Sequence, residues 1–153
     1  MDHLIEACDE GNMEEAVRLL DSGLSVNTAD EALRTCLCYA AHSGHEAIVK
    51  LLLERGADVN EPDEDQNTAL TLASQNNQKD IVKVLIEAGA NVNAATTGGW
   101  TGLMWASMYD HIEIVEVLLE AGADISMQME GRTAMDIADQ YGNTEIVHLL
   151  KNH

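Results

Sequence analysis

The chain contains no phenylalanine, a single proline and only 3% aromatic residues. A core without large rings must come from Leu, Ile, Val, Ala and Met, a set suited to helices packed closely in layers. Basic residues are also scarce, with 8 Lys and Arg against 27 Asp and Glu, for a formal charge of -19. That balance makes nucleic acid a poor partner, since binding its phosphates needs clustered Lys and Arg to displace counterions, and it disfavours anionic membrane surfaces. A basic protein surface is instead steered toward the chain, at a rate that falls with added salt. No run approaches the roughly 18 apolar residues of a membrane span, and the start Met-Asp-His-Leu-Ile-Glu lacks a basic stretch followed by an apolar one. The three cysteines, Cys8, Cys36 and Cys38, are odd in number and two are nearly adjacent, so a disulfide framework is not expected. A reducing, cytoplasmic location is the expectation from these absences.

What is present is a period. Gly23, Gly56, Gly89 and Gly122 stand 33 residues apart, each inside the phrase Leu-Leu/Ile-x-x-Gly-x-x-Val/Ile-Asn/Ser. Aligned on these glycines, the chain divides into units 1–27, 28–60, 61–93, 94–126 and 127–153, two shorter end units around three full ones. Thr35, Thr68, Thr101 and Thr133 are placed to accept a hydrogen bond from a free N–H at the start of a short first helix. A turn follows at Gly11-Asn12, Ser43-Gly44, Asn76-Asn77, Tyr109-Asp110 and Gly142-Asn143. A second helix then carries its apolar residues as one stripe: Ile48, Val49, Leu52 and Leu53; Ile81, Val82, Leu85 and Ile86; Ile114, Val115, Leu118 and Leu119. The glycine closes that helix in a left-handed conformation. Ala7, Ala40, Ala73, Ala106 and Ala138 recur at one position of the first helix, where a small side chain lets neighbouring helices approach.

At these residues the chain resembles an ankyrin repeat protein. Ala40-Ala41-His42-Ser43-Gly44-His45 and Leu51-Leu52-Leu53-Glu54-Arg55-Gly56-Ala57-Asp58-Val59-Asn60 follow the family's turn and exit phrases closely, and the likeness covers essentially the whole length. It implies an all-α solenoid of stacked helix-turn-helix units joined by β-hairpin-like fingers, forming one domain over 1–153. The sequence departs from the family where a Pro is expected after the Thr (Cys36, Ala69, Gly102, Ala134) and where a His is expected (Cys38, Thr71, Met104, Asp136). The contacts made by that His are therefore in question. Glu15 and Lys151 replace apolar stripe residues in the end units, which makes these units caps and a monomer the expected state.

Catalytic and metal chemistry find no support. Cys36, Cys38, His42 and His45 lack ligand spacing, Ser43 and Ser107 lack a nucleophile motif, and Gly98-Gly99 lacks the Gly-Lys-Ser/Thr of a phosphate loop. No enzyme activity and no cofactor are expected. The resemblance implies a protein-binding surface on the concave side, made of the fingers and the first helices. The positions matching the family's contact positions include Arg34, His42, Glu64, Asp65, Asn67, Gln75, Asn76, Trp100, Met108, Tyr109, Arg132 and Tyr141, with Met129 alongside. Trp105 is assigned instead to packing between helices. The acids of 61–65 are expected to steer a basic partner segment, with Trp100 and Tyr109 as anchors. The expected role is an adaptor, scaffold or inhibitor; a regulatory or substrate-recruiting subunit of an enzyme complex is the alternative.

Overall fold

The computed structural model describes residues 2–153 and leaves out Met1, the first residue of the first predicted unit. Among the described residues there are ten helices: α1 His3–Glu10, α2 Met13–Asp21, α3 Cys36–Ser43, α4 Glu46–Glu54, α5 Ala69–Gln75, α6 Lys79–Glu87, α7 Gly102–Met108, α8 Ile112–Glu120, α9 Ala134–Gln140 and α10 Thr144–Lys151. The odd-numbered helices pack one against the next in a first row, the even-numbered ones form a second row, and each odd helix packs on the even helix that follows it. None is longer than nine residues. Isolated helices that short are marginal in water, so stacking is what holds them.

Local chemistry sets where each helix begins and ends. The hydroxyls of Thr35, Thr68, Thr101 and Thr133 accept from the backbone N–H three residues on, at 3.2, 3.3, 3.2 and 3.3 Å. The four periodic glycines follow α2, α4, α6 and α8 with φ between 85° and 99°, a region that penalises a Cβ. The turn inside each pair also needs one left-handed residue, supplied by Gly11, Gly44, Asn77, Asp110 and Gly142. At the five recurrent alanines no side chain is more than 3% exposed, so first-row helices meet almost backbone to backbone. Leu52, Leu85 and Leu118 are fully buried beneath them; truncating any one to Ala would cost about 2–5 kcal/mol.

Two of the four substitutions at the expected His turn out to be functional replacements. Thr71 accepts the Thr68 N–H at 2.9 Å and Asp136 accepts the Thr133 N–H at 2.8 Å, completing a capping box at each helix start. Cys38 and Met104 are buried and make no such return bond.

The pairs are stitched together along separate tracks. On one, His45 Nε2 lies 2.8 Å from the Asp9 carbonyl oxygen, His111 Nε2 lies 3.1 Å from that of Gln75, and the Asn143 amide donates to the carbonyls of Ser107 and Met108. On another, Asn27, Asn60 and Asn93 each accept a backbone N–H from the following exit loop, from Asp58, Asn91 and Asp124 at 3.0, 2.7 and 2.8 Å. The third track runs along the fingers, where Glu64 N–H donates to the Ala32 carbonyl and Thr97 N–H to that of Asp65.

Candidate functional site

Each finger is closed by a backbone hydrogen bond across its tip, from Asp30 to Arg34, Asp63 to Asn67, Thr96 to Trp100 and Met129 to Arg132. Isolated β-bridges at Ala29 with Thr35, Ala95 with Thr101 and Met129 with Arg132 make three of them short hairpins. In the first three, a side-chain acceptor at one periodic position organises the tip. Asp30 accepts the N–H groups of Ala32 and Arg34, Asp63 those of Asp65 and Asn67, and Thr96 that of Trp100. Such turns are what Asp and Thr form with their own downstream backbone. The next tip position is left-handed in Leu33, Gln66 and Gly99, and Leu33 holds this conformation while 57% exposed.

The fingers divide the predicted surface into two chemically different parts. In the first, Asp63 is only 2% exposed and takes both Nε and Nη2 of Arg34, at 3.2 and 3.0 Å, together with the side-chain amide of Asn67. The Arg34 guanidinium also lies 5.7 Å over the ring of Tyr39, whose hydroxyl donates to Asp30 at 2.7 Å. Burial opposes ionisation of Asp30, but the bonds from Tyr39 and from the backbone of Arg34 and Ala32 outweigh it and hold its carboxyl below the ordinary range. Arg34 and Asn67, expected as partner contacts, are thus engaged within the scaffold, Arg34 in joining two fingers and Asn67 in closing the tip of its own. The acidic stretch 61–65 is likewise not one solvated loop: Asp63 faces inward, and Glu61, Glu64 and Asp65 remain exposed.

The second part is aromatic. Trp100, from the finger, stacks on Trp105 of α7 with centroids 4.3 Å apart and planes 20° apart. Trp105 stacks in turn on Tyr109 at 6.1 Å and 6°, and Tyr109 on His111 at 5.8 Å and 26°. The row is open to solvent, with Tyr109 46% exposed and Trp100 and Trp105 half-buried. Trp105 therefore does not pack between helices as expected; it is the centre of the stack. The spacing Trp-x4-Trp-x3-Tyr was the available signal, since Trp105 and the residue four on, the α7 C-cap Tyr109, share a face.

The other predicted residues fall around these two parts. Asn76 bonds His42 at 3.1 Å, with His42 exposed and Gln75 half-buried. Arg132 pairs with Glu130 and donates to Gln140 at 2.8 Å. Met108 is half-buried and Tyr141 is 51% exposed. Met129 is the exception, at 4% exposure a core residue under Gly99.

Outside this face, a hollow of about 430 Å³ lies among Glu116, Leu119, Glu145, His148 and Leu149 of the second row, and none of the expected partner contacts lines it. Among the described residues no group of three or more His, Cys, Asp or Glu is arranged to hold a metal ion, and no helix is long and apolar enough to cross a membrane. Cys8, Cys36 and Cys38 are buried; a hydrogen bond with Cys8 and burial push the Cys36 thiol well up, and burial, with a smaller push from Asp63, raises that of Cys38.

No match is found among curated proteins. A family model described as ankyrin repeats in three copies matches residues 4–96 and again 95–153. With its ten short helices in two rows and its hairpin-like fingers, the chain belongs to the ankyrin repeat family.

Proposed function

We propose that this protein is a non-catalytic adaptor, scaffold or inhibitor that binds a basic segment of a protein partner across its fingers and first-row helices. Ankyrin repeats are generally protein–protein interaction modules and typically lack catalytic activity. The observation that carries the finer reading is the fate of the cations. Six of the 8 Lys and Arg are paired with the chain's own acids, including both arginines of the finger face, Arg34 and Arg132. The remaining two, Lys83 and Lys151, lie on α6 and α10 in the second row. The finger face offers exposed carboxylates of Glu31, Glu61, Glu64 and Asp65 beside exposed rings. A positive partner gains from this arrangement both in encounter rate and in specificity.

The test is a pull-down from the native source at low and high salt, with variants as controls. Capture should weaken as salt rises. Trp100→Ala and Tyr109→Ala should each cost about 2 kcal/mol of binding with helical content kept; the melting temperature should stay close to wild type for Tyr109→Ala and fall for Trp100→Ala, whose half-buried ring packs against the core. Unchanged capture by both variants would place the site elsewhere.

A further inference from the structure

Resting on the basic-segment reading above, we infer that the partner presents an arginine, whose guanidinium lies on the exposed faces of the stack formed by Trp100, Trp105 and Tyr109.

The chain contains its own version of this contact. Arg34 and Tyr39 stand two 33-residue periods before Trp100 and Trp105, at the same finger and first-helix positions. There the guanidinium lies over the ring, and its charge is met by Asp63. Two periods on, the finger residue is itself an indole, so the scaffold gains a second ring and loses the cation. Among the described residues, no lysine or arginine lies over Trp100, Trp105 or Tyr109. The ring faces keep the negative potential that attracts a cation, with none of the chain's own to occupy it.

The surroundings supply the counter-charge. The Asp65 carbonyl accepts the Thr97 N–H at 2.8 Å, which sets the tip bearing Glu64 and Asp65 against the finger that carries Trp100. Asp110 follows Tyr109 in the chain, and all three acids are exposed. A proline or an aromatic ligand would use the rings and leave these carboxylates without a role. Lysine would use the carboxylates but stack poorly, because its ammonium is compact and strongly hydrated. Arginine uses both, being planar and weakly hydrated. The stack is also set in advance: Trp100 is held by its finger's hydrogen bonds, Trp105 by α7, and the ring of His111 by Gln75. A ligand meeting it orders little of the protein.

The chain has two tryptophans, both in the stack, so selectively excited tryptophan fluorescence reports on this place alone. Peptides of equal length and charge, carrying arginine, lysine or trimethyllysine, are titrated at low salt against an acidic peptide as control. The arginine peptide should shift the emission and bind roughly threefold or more tightly than the lysine peptide. Tyr109→Leu, at an exposed position that leaves the fold intact, should reduce that ratio toward one while both peptides still bind. Equal binding of arginine and lysine peptides, or tighter binding of trimethyllysine, overturns this inference and leaves the basic-segment reading standing. Failure of every basic peptide to bind above the acidic control overturns both.

Discussion

Removal of the Asp63 carboxylate should destabilise the array more than any other change to an acidic residue. Its two oxygens receive two bonds from Arg34, the N–H groups of Asp65 and Asn67, and a forked contact from the Asn67 amide. A buried donor left without a partner costs about 1–3 kcal/mol. Asp65 is exposed and the Arg34 side chain is 32% exposed, so water can reach much of what is abandoned and the lower end applies. With about 1 kcal/mol for each backbone N–H and about the same for Arg34, Asp63→Ala should cost about 3 kcal/mol. Asp63→Asn keeps Oδ1 as acceptor for the two N–H groups but replaces Oδ2, which takes both Arg34 bonds, by an amide donor, so it should lose the Arg34 contribution alone, for about half as much. The assay is urea unfolding followed by far-UV circular dichroism and tryptophan fluorescence, whose agreement checks that the array unfolds as one unit. In a chain this long the Ala variant should melt about 6–12 °C lower. Arg34→Met, alone and with Asp63→Asn, should reveal a coupling near 1 kcal/mol. An Asp63→Ala variant within about 0.5 kcal/mol of wild type, or Asn and Ala variants of equal stability, would refute the idea that this carboxylate organises the fingers.

Other expectations follow from the helix starts. Ala69→Pro should stabilise by about 0.5–1 kcal/mol in urea titrations, since Thr68 already has the extended backbone that precedes proline, and Ala134→Pro should do the same after Thr133. The same change at Cys36 should destabilise, because its N–H donates to the Thr28 carbonyl at 3.1 Å. Gly102→Ala should cost about 1 kcal/mol despite alanine's better helix propensity, as its Cβ would sit 2.8 Å from Ser74 Oγ; Ser74→Ala in the same chain should recover part of the loss, and no recovery would point to a backbone cause. Bonds from the backbone and side chain of Thr133 hold the Asp136 carboxyl below its ordinary range. A depressed folded-state pKa stabilises above the unfolded value and is lost as pH falls below about 4, so acid melting of Asp136→Ala should depend less steeply on pH than that of wild type.

The scaffold was readable because its determinants are local and recur. A Thr before four of the five first helices, a Gly after most second helices and a small residue at each close approach are demands of backbone geometry, and 33-residue spacing shows them several times over. The capping boxes at Thr71 and Asp136 were less visible, since the sequence there departs from the family's His while keeping its chemistry. Asp63 was misjudged for a different reason. An acid among acids reads as solvated, and what marks it is Asp30 one period earlier, doing the same work in its own tip. Trp105 was missed because its position is apolar in the neighbouring pairs, as Leu72 and Ile137. Which way its ring turns depends on Trp100, a residue on another element.

The finger track links the fingers of 28–35, 61–68 and 94–101 in series, and among the described residues no backbone bond carries it on to the finger at 127–133. The exit track likewise ends at Asp124. The last helix pair is therefore fastened through Asn143, through Met129 buried under Gly99 and through its helix packing, without the backbone bonds that link the earlier fingers, so the array should be more compliant at this joint than between α1 and α8. Pulled from its ends, such a chain should yield first at that joint, and the gap between Tyr109 and Tyr141 should be the dimension of the finger face that breathes most.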